Sequence, residues 1–219
     1  MMNKINEEEL KVEPTNKEIL SCTDKDIVKK ELERKFPGGM DLVRKQLELI
    51  GENPDREGLI DTPYRVVKSW LETFEGYELD DRILGTFFED DLGDQTDEIV
   101  ICKDIQFYSM CEHHMIPFSG IAHIGYLPGK KVIGLSKLVR LVDMFARRLQ
   151  IQEKMCSQIA DKLVDVLDPQ GVGVIIEAKH MCMSARGVKN QTSSMVTSAM
   201  RGKFKVQPQT RNEFLSLIK

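Results

Sequence analysis

Two short clusters of metal-seeking side chains, Cys111-Glu112-His113-His114 and His180-Met181-Cys182, are separated by residues 115–179 of a 219-residue chain. A fold in which both clusters act on one ion must bring these two distant stretches of backbone together. No other feature of the sequence restricts the architecture so strongly. Zinc takes thiolate and imidazole ligands, and a catalytic zinc uses three protein ligands and keeps a fourth position for water. Cys111, His114 and Cys182 form such a set. His113 and His180 would then stand beside the metal with imidazoles free for proton transfer. A closed, structural site would need a fourth protein ligand from Cys102, Cys156 or His113, and spacing alone leaves both forms open. Three of the four histidines of the chain fall in these clusters.

The five cysteines are Cys22, Cys102, Cys111, Cys156 and Cys182. An odd number, with no apolar segment after Met1-Met2-Asn3-Lys4, argues against a disulfide framework and for reduced thiols in the cytoplasm. No apolar run is long enough to cross a bilayer. The net charge of -4 gives no electrostatic reason to expect nucleic acid as a partner. Neither nucleic acid nor membrane is therefore expected as a partner.

Residues 1–38 are polar and charge-rich, with a helical segment that ends at Phe36-Pro37-Gly38-Gly39, and read as an appended extension. The remainder, 39–219, reads as one catalytic domain with a helical part over about 39–97 and a sheet-bearing part over about 98–219. Leu42, Val43, Leu47 and Ile50 have helical spacing, and Thr62-Pro63 starts a second helix with Val66, Val67, Trp70 and Phe74 inward, ended by Gly76. Residues 80–97 are acidic and expected to form a loop. Strands are expected over 98–107, 118–127 and 171–180, and helices over 135–149 and 152–167, the first of them capped by Ser136. On the last strand Val172, Val174, Ile176, Ala178, His180 and Cys182 share a face if the strand runs that far. The stretch after it is expected to be irregular until a short helix near Glu213. The class is α+β.

Lys137 and Arg140 point from one face of the helix that Ser136 opens, near an N-terminus that favours anions. Arg65 and Lys68 repeat that spacing on the earlier helix, and Arg186 follows Cys182 closely. Singly, each is an ordinary surface charge; together they suit a phosphate group. Gln152-Glu153 offers a carboxylate and an amide that match the donor edge of guanine. On sequence alone a glutamate complementing a helix dipole is the simpler reading of Glu153.

The runs Cys111-Glu112-His113-His114-Met115-Ile116-Pro117-Phe118, Gly134-Leu135-Ser136-Lys137-Leu138-Val139-Arg140, Arg148-Leu149-Gln150-Ile151-Gln152-Glu153 and His180-Met181-Cys182-Met183-Ser184-Ala185-Arg186-Gly187 occur in that order. Together they resemble GTP cyclohydrolase I, over roughly Met40 to the C-terminus. The resemblance implies the tunnelling fold (T-fold), an antiparallel sheet with paired helices on one side, and a homodecamer of two stacked pentamers with active sites between subunits. It implies zinc at Cys111, His114 and Cys182. Guanine binding would fall to Glu153 with Gln152 alongside, which overturns the dipole reading of Glu153. Triphosphate binding would fall to Arg65, Lys68, Ser136, Lys137, Arg140 and Arg186, and catalysis to His113 and His180.

The implied reaction opens the imidazole ring of GTP, loses C8 as formate and yields 7,8-dihydroneopterin triphosphate, the first step of pterin and folate-type biosynthesis. His180 is the candidate donor to N7, and His113, helped by Ser136, the candidate acid/base for the ribose rearrangement. The rivals are a non-catalytic zinc module and another enzyme on the same fold, such as a pterin synthase or a deazaguanine nitrile reductase. A zinc deaminase is disfavoured because the H-x-E…P-C-x-x-C pattern is absent.

Overall fold

A computed structural model describes residues 13–79, 84, 87–89 and 98–219. The chain divides into two compact units, one ending at Glu72 and the other beginning at Thr73.

The first unit contains α1 (Asn16–Ser21), α2 (Lys25–Lys35), α3 (Gly39–Leu49) and most of α4 (Thr62–Thr73). Thr15 and Glu18 form a reciprocal capping box on α1, and the Asp24 carboxylate caps α2. Ile19, Val28 and Leu32 from the first two helices pack with Val43, Val67 and Leu71. The Asn16 side chain donates to the Leu71 carbonyl at 2.9 Å. Residues 16–35, read from sequence as part of an extension, thus share one core with α3 and α4. The helical spacing of Leu42, Val43, Leu47 and Ile50 is matched by α3 and its C-cap Ile50, where Leu42 and Ile50 are exposed while Val43 and the half-buried Met40 supply the inward side. The α4 helix stops at Thr73, and Gly76 lies in a following 3-10 turn (Glu75–Tyr77).

The second unit is built on a five-stranded sheet. Its elements are β1 (Phe87–Glu89), β2 (Val100–Cys111), β3 (Pro117–Leu127), β4 (Lys131–Ile133), α5 (Leu135–Ala146), β5 (Leu149–Gln150), α6 (Gln152–Leu167), β6 (Gly171–His180), α7 (Met181–Ser184), β7 (Met195–Gly202), α8 (Lys203–Val206) and α9 (Pro208–Leu217). The strand order is β5-β2-β3-β6-β7, and β1 pairs with β4 separately. Of the acidic 80–97 stretch, only Leu84 and β1 fall within the described residues, and β1 is a strand where a loop was expected.

The helices α5 and α6 cover one face of the sheet. Leu138, Leu141, Val142 and Phe145 of α5, as expected, and Met155, Ile159 and Leu163 of α6 meet Val172, Val174, Ile176 and Ala178 of β6. Those strand residues alternate, so one face of β6 is a continuous apolar strip.

Three features of the expected architecture need correction. The sheet is mixed, because β5 joins β2 in parallel through Met110–Leu149 and Cys111–Gln150. Helices also occupy both faces. Phe204 of α8 and Phe214 of α9 pack on the second face with Leu127 and Ile175. Glycines make room for them: a Cβ on Gly173 would sit 2.6 Å from a ring carbon of Phe204, and one on Gly125 2.8 Å from Phe214. The segment after β6 is not irregular, since β7 pairs with β6 from Gly171–Gly202 to Ala178–Met195. Among the described residues no helix is long and apolar enough to cross a membrane.

Candidate metal centre and its surroundings

The first cluster begins where β2 ends. Cys111 is the last residue of that strand, and its N–H donates to the Ile116 carbonyl at 3.0 Å. Its own carbonyl accepts from the N–H groups of His114 (3.3 Å) and Met115 (2.8 Å), closing a tight turn. Met115 takes a positive φ of 51° to do so. The N–H of Glu112 donates to the Gln150 carbonyl, and its carboxylate lies 3.8 Å from the Lys154 ammonium. The ligand loop is therefore tied to β5 and to the first turn of α6.

The second cluster lies at the same end of the sheet, on β6, which flanks β3 on the side opposite β2. His180 pairs with Phe118 at the end of the β3–β6 ladder. The strand stops there, so Cys182 does not continue its face. It sits in α7, whose turn after the strand brings its thiol toward Cys111.

The donor atoms of Cys111, His114 and Cys182 all lie within 4.8 Å of one another. The Cys111 Sγ is 3.6 Å from the His114 Nδ1. Tetrahedral zinc with Zn–S of about 2.3 Å and Zn–N of about 2.0 Å holds its ligand atoms roughly 3.5–3.8 Å apart, so this set needs only slight contraction. Among the described residues no fourth His, Cys, Asp or Glu joins the group. Cys156 is buried elsewhere, its thiol directed at the Val174 carbonyl at 3.5 Å, and burial pushes it up to about 11. Cys102 pairs with Ile124 near the opposite end of β2. Burial, followed by the adjacent Cys111 thiol, raises Cys182 above the ordinary thiol range, and the Arg186 guanidinium opposes the rise. A divalent cation relieves this mutual opposition by binding both thiolates. The residues present therefore fit a three-ligand metal ion.

His180 is held on two sides. Its ring stacks on Phe118 with centroids 4.5 Å apart and planes within 4°. Its Nε2 lies 2.9 Å from Oε1 of Gln152. Burial lowers its pKa below the usual histidine range, and the nearby Glu153 carboxylate acts in the opposite direction.

A family model described as GTP cyclohydrolase I matches residues 40–219. The chain is 58% identical over 178 residues to GTP cyclohydrolase 1 of Wolinella succinogenes, covering 81% of this chain and 94% of that protein. It is 51% identical to the Deinococcus radiodurans enzyme of the same name, covering 81% of each. The Leptospira biflexa counterpart is 50% identical, with 81% of this chain and 96% of that protein covered. The chain belongs to the GTP cyclohydrolase I family.

Among solved structures, the apo archaeosine synthase QueF-Like covers 49% of this chain and 97% of its own at TM-score 0.42 and 17% identity, too distant to carry an argument.

As an enzyme of the GTP cyclohydrolase I family, the protein distributes its other candidate residues as follows. His113 is exposed beside His114, with ring centroids 6.1 Å apart. Glu153 is exposed in the first turn of α6. Ser136, Lys137 and Arg140 lie on α5, and Arg140 lines a cavity with Glu75, Leu79, Asp143 and Arg147. Ser136 does not cap α5: Gly134 holds the N-cap position, and no side chain bonds there. Arg186 follows α7, and its charge acts on Cys182. Arg65 and Lys68 belong to the first unit, Arg65 3.7 Å from Asp61 and Lys68 over the Tyr64 ring.

Gln152, expected alongside Glu153 at guanine, turns its side chain into the protein. Its side chain is 1% exposed, and its amide nitrogen donates to the carbonyls of Ile176 (3.0 Å) and Met195 (2.9 Å). With Oε1 on His180, both ends of the amide are engaged inside the protein. Phe118 was not singled out as a functional residue in the sequence, although it closes the first motif. Its stacking partner depends on strand register, which motif spacing does not encode.

Proposed function

We propose that the protein hydrolyses the guanine imidazole ring of GTP, releasing formate and forming 7,8-dihydroneopterin triphosphate, with zinc held by Cys111, His114 and Cys182. The observation that carries this reading is the three-donor cluster with the clamped imidazole of His180 two residues from one of its ligands. A bound zinc supplies a Lewis acid that makes water acidic enough to react near neutral pH. The protein's own groups do the rest. Glu153 accepts from the N1–H and exocyclic amine of guanine. Arg65, Lys68, Ser136, Lys137, Arg140 and Arg186 bind the triphosphate. His180 exchanges a proton with the imidazole ring at N7, and His113, with Ser136, serves the ribose rearrangement.

The assembly we infer is a homodecamer of two pentamers on the tunnelling fold. Two edges support it. Among the described residues, β7 pairs only with β6, and the outer edge of β2 is covered only at Met110–Cys111. Open edges of this length invite pairing with another copy, and closing a ring of sheets satisfies them. The free state of all five cysteines suits a cytoplasmic location.

Formate release from GTP by the zinc-loaded protein tests the reaction directly. Stoichiometric formate with a pterin product is the expected result. Intact GTP after prolonged incubation with the zinc-loaded protein would overturn the reading. Light scattering tests the assembly, for which a monomer mass would be the contrary result.

A further inference from the structure

We propose that Gln152 is a positioning residue that holds His180 as the Nε2–H tautomer, so that Nδ1 bears the lone pair and is the nitrogen that exchanges protons with the substrate. The argument follows from donor and acceptor counting. A primary amide has an oxygen that only accepts and a nitrogen that only donates. The nitrogen end of Gln152 faces two backbone carbonyls, those of Ile176 on β6 and Met195 at the start of β7, at 3.0 and 2.9 Å. Carbonyls only accept, so the amide cannot be turned round without setting three oxygens against one another. The Thr197 hydroxyl, 3.2 Å from the same nitrogen, is compatible with this choice because it also accepts.

The oxygen of Gln152 is thereby directed at His180 Nε2, 2.9 Å away. An oxygen acceptor at that distance requires a proton on Nε2, and a neutral imidazole with Nε2–H has a bare Nδ1. Stacking on Phe118 at 4.5 Å fixes the plane of the ring, so the direction of that lone pair is set as well. Because the amide is buried and anchored to two strands, the bond resists exchange with water. A proton taken up at Nδ1 from an attacking water can pass from the same atom to N7 of the guanine ring. Nε2–H stays on Gln152 throughout, and the histidine ends in its starting tautomer.

The role in proton transfer rests on the proposed reaction; the tautomer does not. Solid-state 15N spectra of the full-length, zinc-loaded protein labelled at histidine test the tautomer without reference to activity. The His180 signals are assigned by their loss in His180→Asn. A protonated Nε2 and bare Nδ1 are expected for neutral His180, and the reverse would overturn the inference. In Gln152→Leu the preference should disappear. With zinc content unchanged, kcat for formate release should fall about 10–100-fold while KM for GTP stays within about threefold. A rise in KM with kcat unchanged would make Gln152 a ligand contact and overturn the inference. Gln152→Glu can keep an acceptor on His180 with its protonated oxygen on a carbonyl, and should recover at least about tenfold of the lost kcat. A glutamate variant no better than leucine would count against the inference. Should the leucine variant not fold, the wild-type spectrum and the glutamate variant still decide it. Absence of formate from wild-type protein would defeat the proposed reaction, while the His180 spectrum would still decide the tautomer.

Discussion

The two ends of the β3–β6 ladder put aromatic rings to opposite uses. At one end Phe118 lies flat against His180, and the strands finish in thiols and imidazoles that could hold a metal ion. At the other end Gly125 and Gly173 expose bare backbone to Phe204 and Phe214, which meet edge to face with centroids 5.4 Å apart. One end uses a ring to orient a polar group; the other uses rings to exclude water. Binding at the first end and stability at the second should therefore respond separately to substitution.

The sharpest break is expected at the ligand end. Cys182→Ser removes one of the three donors and should abolish both stoichiometric zinc binding and formate release, while the thermal unfolding of the metal-free protein changes little. Full activity with one zinc per chain would refute the ligand assignment. Next in size, His180→Ala should lower the rate of formate release by about 10²–10⁴ with zinc retained. Normal turnover would remove His180 from the mechanism. At the opposite end, Phe204→Ala empties part of a fully buried cluster and should cost about 3–5 kcal/mol of stability in denaturant titrations. The variant should bind zinc normally while folded. Loss of zinc in proportion to the lost stability would show that the two ends are coupled.

The same contrast explains what was legible in the sequence. The α6 helix at Gln152–Leu167 and the β6 strand at Gly171–His180 match the expected bounds, because long apolar periodicity fixes each. The grouping of Cys111, His114 and Cys182 was legible because thiolates and imidazoles in paired clusters have few other uses. The β7 strand was missed because Met195–Gly202 mixes apolar and polar residues without a sustained alternation and lies at a sheet edge, where only one neighbour demands apolar side chains. The helix expected near Glu213 is α9, but its place on the second face was missed because it rests on two phenylalanines and the glycines opposite them, a complementarity that appears only once the strands are in register. Gln152 looked like a ligand contact for a related reason. An amide beside a carboxylate suggests recognition until the carbonyls of Ile176 and Met195 are found to occupy it.

The smallest expected effect concerns His123, which lies on the second face opposite Ile175. Its side chain is 7% exposed, and its Nδ1 accepts the N–H of Asp104 at 3.2 Å. Asp104 has a φ of 59° within the irregularity between Cys102 and Ile105, so the histidine pins a strained turn of β2. Burial lowers its pKa below the usual value; the Asp104 and Glu177 charges oppose that shift and Lys103 adds to it. The folded chain thus keeps His123 neutral at a pH where the unfolded chain has taken up the proton. Stability rises with pH wherever the unfolded state binds more protons. The contribution is therefore complete above the unfolded pKa of about 6.5 and is lost as pH falls through it toward the lower folded value. His123→Gln keeps an acceptor for Asp104 but cannot titrate. Denaturant titrations at pH 7, 6 and 5 should give this variant a shallower loss of stability than wild type, by at most about 1.4 kcal/mol per pH unit. Equal slopes in the two proteins would mean that His123 takes up its proton as readily in the fold as outside it.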